Sequence, residues 1–85
     1  MIYTIEDGLE QALNLANGLS GNGGYGGAAE VNVGWHPYES RWRACASWSN
    51  GMQHITMNDC PLEAVRKLVE ALLDDSLVRP IKEGA

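Results

Sequence analysis

Two cysteines and two histidines are the residues of this 85-residue chain best able to attack, ligate or move a proton. Cys45 and His54 fall in two alternating segments joined by Asn50-Gly51, a pair that favours a two-residue type I′ hairpin turn. With that turn Ser49 faces Met52, Ala46 faces Ile55 and Ala44 faces Met57. On the opposite face Ser47 meets His54, Cys45 meets Thr56 and Arg43 meets Asn58. Cys45 and His54 then become diagonal neighbours on one exposed face, with Cβ atoms ~7 Å apart. A thiol nucleophile needs its base at hydrogen-bond reach and a third group to orient that base. This face supplies no acidic residue and no pocket that excludes water. Cys45 therefore reads as a small residue tolerated at a surface, and a small Cys-dependent enzyme ranks third among the functions considered.

Metal and nucleotide chemistry fare no better. Cys45, His54, Cys60 and His36 show no C-x₂₋₄-C or H-x₃₋₅-H spacing, so neither a metal nor any other cofactor is expected. The run GNGGYG, Gly21–Gly26, matches G-x-G-x-x-G in form. Phosphate binding by such a run needs a strand before it and a helix opening after it, because the helix N-terminus supplies the amide donors. Here the order is inverted, and the plain reading is a flexible connector whose Tyr25 either docks on the body or stays free for a partner.

The elements that position these residues follow from periodicity. Thr4 followed by Asp7 is a helix-start signal, and Leu9, Ala12, Leu13 and Ala16 make an apolar stripe, predicting a helix over about 5–17 that Gly18 can end. A glycine-rich loop over 18–29 leads to strands over about 30–36, 41–49 and 52–58. Val31, Val33 and Trp35 alternate with polar residues, and the four-residue turn Pro37–Ser40 pairs Trp35 with Trp42, Val33 with Ala44 and Val31 with Ala46. Cys60-Pro61 opens a second helix over about 61–75, whose stripe is Leu62, Val65, Leu68, Val69, Leu72 and Leu73. A frayed tail is expected over 77–85. The whole reads as one α+β domain, 1–85, of order α-β-β-β-α: a three-stranded antiparallel meander with two helices packed on one face. All three tryptophans, with Ile55 and Met57, are assigned to the core face.

Composition narrows the partner. A formal charge of −5 with only six Lys and Arg disfavours direct nucleic-acid binding, which is driven by cations releasing counterions. No apolar run approaches the ~20 residues that span a bilayer, and no secretory leader is evident, so cytoplasmic residence is expected, in the host cytoplasm if the chain is phage-encoded. Two surfaces remain as partner-binding candidates. One is the outer sheet face, with His36, Arg41, Arg43, His54 and Thr56. The other is an acidic helix surface, with Glu6, Asp7, Glu10, Glu70, Asp74 and Asp75, able to imitate a phosphate track. The uncharged Val31–Trp35 edge leaves homodimerisation open.

Two resemblances bear on function. The order α-β-β-β-α over roughly Thr4–Leu73 is similar to the double-stranded RNA-binding domain. That family's Lys-rich start to the second helix is here CPLEAVRKL, apolar and acidic with only Arg66 and Lys67 farther in. The Trp-rich meander VNVGWHPYESRWRACASW and the helix opened by Pro-Leu-Glu-Ala resemble small phage and mobile-element proteins, including anti-CRISPR inhibitors. That second resemblance implies a non-enzymatic inhibitor that binds a protein partner, such as a CRISPR effector or another host nuclease complex, or blocks its nucleic-acid channel. A degenerate RNA-binding or adaptor module is the alternative.

Overall fold

The structure, a computed structural model, describes residues 3–21 and 25–78. The order is α1 (Ile5–Ser20), β1 (Ala29–His36), β2 (Arg41–Trp48), β3 (Gln53–Asn58) and α2 (Pro61–Val78), the expected α-β-β-β-α arrangement. The strands form one antiparallel sheet in the order β1-β2-β3. Both helices pack on the same face of it.

Thr4 starts α1 as anticipated: its Oγ1 accepts the Asp7 N–H at 3.1 Å, filling one of the donors a helix start leaves open. Gly18 does not end the helix. It continues to Ser20, where Leu19 is buried, and closes at Gly21. The buried face of α1 is Gly8, Ala12, Ala16 and Leu19, a small-residue stripe that lets the two helices approach closely. A Cβ at Gly8 would lie 2.5 Å from Val65 Cγ1 and would also collide with the Tyr3 hydroxyl. α2 extends past its expected end to Val78, so positions 77 and 78 of the expected tail are helical, while 79–85 lie outside the described residues. Its buried positions are Ala64, Val65, Leu68, Val69 and Leu72; Leu73, assigned to the stripe, is largely exposed.

The β1–β2 register is the one the Pro37–Ser40 turn implies, with Val31 opposite Ala46, Val33 opposite Ala44 and Trp35 opposite Trp42. The β2–β3 register is shifted by one residue. Ala46 pairs with His54, Cys45 with Ile55, Ala44 with Thr56 and Arg43 with Met57. The cause is the turn. Trp48 N–H donates to the Met52 carbonyl at 2.9 Å and Gly51 N–H to the Trp48 carbonyl at 3.0 Å, enclosing three residues instead of two. Gly51 has φ +93° whereas Asn50 is not left-handed, which is a type I turn followed by a glycine bulge and not the type I′ turn. The Asn50 side chain accepts the Met52 N–H at 3.0 Å and steadies that bulge.

A one-residue slip turns every side chain of β3 over. His54, Thr56 and Asn58 therefore face the helices, and Ile55 and Met57 face outward, the reverse of the sequence-based assignment. The inward polar groups are satisfied: Thr56 Oγ1 donates to the Ala64 carbonyl of α2 at 2.6 Å, and Asn58 Oδ1 accepts the Cys60 N–H at 3.2 Å ahead of that helix. Ala44 and Ala46, fully buried on the central strand, leave room for α2 to sit close enough to collect these bonds.

Candidate protein-binding surface

Four side chains from four segments converge where the two helices end. Trp48, 4% exposed, donates its Nε1–H to the Ala16 carbonyl at 3.3 Å. Tyr25 packs against it with the ring planes tilted by 59° and centroids 4.6 Å apart, and the Tyr25 hydroxyl donates to Asp75 Oδ2. His54 Nε2 lies 3.5 Å from that same oxygen, with its ring 6.0 Å from Trp48. Of the two roles open to Tyr25, the structure shows docking. Ser49 donates to the Gly26 carbonyl, Gly26 lies so close to Asn50 that a Cβ would be 2.6 Å from its nitrogen, and Ala29 N–H donates to Asn17 Oδ1 at 2.9 Å. Much of the segment expected to be a free connector is thus tied to the β2–β3 turn and α1.

This cluster corrects three placements. His54 and Thr56 do not lie on the outer sheet face, because the three-residue turn rotates them inward. Asp75 is not part of an open acidic surface, because it turns toward Tyr25 and His54. Glu6, Asp7, Glu10, Glu70 and Asp74 are exposed as expected. Arg66 lies 5.8 Å over the Tyr3 ring and 3.0 Å from Glu63. Beside it Tyr3, Arg66, Val69 and Glu70 line an open cleft of about 290 Å³.

The outer sheet face is assembled from three rows across the strands: Glu30–Ser47–Gln53, Asn32–Cys45–Ile55 and Gly34–Arg43–Met57, with His36 and Arg41 at the end. His36, Arg41 and Arg43 are where the sequence put them, but Glu30 in the first row gives this face an acidic residue where none was expected, because the strand alternation already holds at its second residue. Arg41 Nε is 3.4 Å from Asp59, an exposed pair, and His36 Nδ1 accepts the Glu39 N–H at 3.3 Å. Ile55, in the middle row but on the edge strand β3, is 44% exposed because both helices pack on the other side of the sheet. Cys45, on the central strand between Asn32 and Ile55, is only 3% exposed. Its thiol pKa is raised above 9.0 by burial, with Arg43 pulling it down and Glu30 pushing it up by lesser amounts. A thiol held protonated, opposite Ile55 and remote from the inward His54, is a poor nucleophile.

At the β1–β2 turn the tryptophans keep the face their parity gives them but not the burial expected of a core. Trp35 and Trp42 meet edge to face at 5.7 Å on the helix side of the sheet, yet Trp35 is 53% exposed. Tyr38, in the turn, is 93% exposed and 6.1 Å from the His36 ring. Alternation put Trp35 on the correct face, but the helices do not cover that end of the strand. Ile55 and Met57 were missed as surface residues for the register reason already given; the signal available was the choice between a two- and a three-residue Asn-Gly turn.

Among the described residues no cluster of three His, Cys, Asp or Glu side chains could hold a metal, and no helix is long and apolar enough to cross a membrane. No protein-family model matches the chain, and comparison with curated proteins and with solved structures likewise finds no match.

Proposed function

We propose that this protein is a non-enzymatic protein-binding module, acting as an inhibitor or adaptor through its uncovered sheet face. The observation that carries this is Ile55, open to solvent on the edge strand β3 of a face that also holds Met57 and is bordered by Arg43, Arg41 and His36. An apolar strip along β3 with arginines beside it on β2 suits a protein surface of matching apolar patch and acidic border. Exposed Trp35 and Tyr38 at the adjoining turn extend the contact, since aromatic residues supply large area at low entropic cost. The non-catalytic part of the reading is supported by the Cys45 thiol, buried and separated from His54 by the thickness of the sheet. On the resemblance to small phage inhibitors, the partner is proposed to be a nuclease complex blocked by occupation of its surface.

Affinity capture from a host lysate tests this with the wild type, Ile55→Asp and Arg43→Glu, each checked by circular dichroism for an unchanged fold. A retained protein lost in both variants is the expected result. Equal retention by all three would remove the sheet face as the binding surface.

A further inference from the structure

We propose that the free edge of β1 accepts a second chain as a fourth strand, and that its occupant is an extended, basic-flanked peptide segment of the partner. The inference rests on the protein-binding reading above and adds a second surface to it. The backbone geometry identifies which groups are on offer. Trp48 directs both its N–H and its C=O to β3 through the turn bonds, so strand alternation sends those of Ser47 to β1. Glu30, Asn32, Gly34 and His36 therefore bond to β2, and Val31, Val33 and Trp35 direct their N–H and C=O groups away from the sheet. Ala29 has the same orientation, and its N–H is the one Asn17 takes.

Among the described residues nothing occupies the remaining donors, and the edge carries no device against pairing: eight residues, no proline, no bulge and a single charge, Glu30. One wall of the site comes from α1. Gly8 faces α2 and Asn17 reaches Ala29, which sets the rotation of the helix about its axis. At 3.6 residues per turn, Leu9 and then Leu13 lie on the flank toward the β1 edge, with Glu6 and Glu10 just above them. An added strand would lay alternate apolar side chains beside Leu9, Leu13 and the exposed Trp35, the arrangement of strand addition in a helix-walled groove.

Charge selects the occupant. No Lys or Arg precedes Arg41, so α1 and β1 carry Glu6, Asp7, Glu10 and Glu30 without a cation among them. A second copy of this chain would bring these carboxylates together in one interface. A segment with Lys or Arg at its ends would meet them with opposite charge.

The test is titration of the full chain with a short synthetic peptide alternating Val and Thr between Lys residues, followed by amide shifts in NMR. The same peptide with Glu in place of Lys serves as control. Val33→Pro removes an outward N–H that makes no bond to β2, so the sheet is retained while the edge is blocked. Shifts at Val31, Val33 and Trp35, binding about tenfold weaker in Val33→Pro, and weaker binding in Glu6→Lys with Glu10→Lys are expected. No binding of the Lys peptide, equal binding of the Glu peptide, or no effect of Val33→Pro would overturn the assignment. So would a wild-type dimer that Val33→Pro converts to monomer, which would make the occupant a second copy. Lysate capture lost in Ile55→Asp but intact in Val33→Pro would overturn the edge proposal alone and leave the sheet-face reading standing.

Discussion

Cys45 shows how one position can change meaning without changing place. It sits on the face its parity demands, yet on the central strand, flanked by Asn32 and Ile55, it is almost out of solvent. Cys60, ahead of α2, is exposed. Iodoacetamide on the native protein at neutral pH is expected to give one adduct, at Cys60, with Cys45 labelled only after unfolding. Equal labelling, read by peptide mass spectrometry, would mean that Cys45 opens to solvent in the folded chain. Burial raises the Cys45 thiol above 9.0 and the Tyr3 hydroxyl above 10.0, so the folded chain holds both protons more tightly than the unfolded chain does. Stability is accordingly unaffected by these groups below about pH 9, and falls as pH rises through the raised values. Denaturant midpoints measured from pH 8 to 11 should decline, and Cys45→Ala together with Tyr3→Phe should flatten the decline.

The β2–β3 hairpin is the element on which the assignment of faces turns. Its three-residue turn needs a left-handed residue only at Gly51, so Gly51→Ala is expected to cost ~1–2 kcal/mol, the penalty for a Cβ in that region. Hydrogen-bonded and open pairs alternate outward from Trp48–Met52, which makes Cys45–Ile55 and Arg43–Met57 the close pairs. Strong Hα–Hα cross-peaks are expected between those partners. Strong Hα–Hα cross-peaks linking Ala46 with Ile55 and Ala44 with Met57 would instead restore the two-residue turn and return His54 to the surface. The glycine-rich segment answers to the same hairpin, because Tyr25, Gly26 and Ser49 join across it. Tyr25→Phe removes the donor to Asp75 from a mostly buried site and should lower stability by ~1–2 kcal/mol in urea unfolding.

For the molecule as a whole, two helices on one side leave the other side of the sheet uncovered, and the mutations proposed above separate that face from the β1 edge. The α-β-β-β-α order, the Thr4 cap, the Pro61 start and the β1–β2 register were all legible in the sequence. Each depends on contacts within a few residues or on a period of 2 or 3.6 that the chain displays directly. His36, Arg41 and Arg43 were legible for the same reason, since they hang on the Pro37–Ser40 turn. The Asn-Gly pair was legible as a turn but not as a two- or three-residue one, and β3 alternates polar and apolar residues so evenly that either register presents a consistent pattern. Tertiary contacts hold the observed register: the Ala64 carbonyl takes the Thr56 hydroxyl, Asp75 takes His54 and Tyr25, and small Ala44 and Ala46 admit α2. By itself the sequence determined which strands pair and where the helices begin, because those are local. Which side of β3 meets the core, and with it whether Ile55 or His54 faces a partner, was decided only by packing against a helix that begins after the strand has ended.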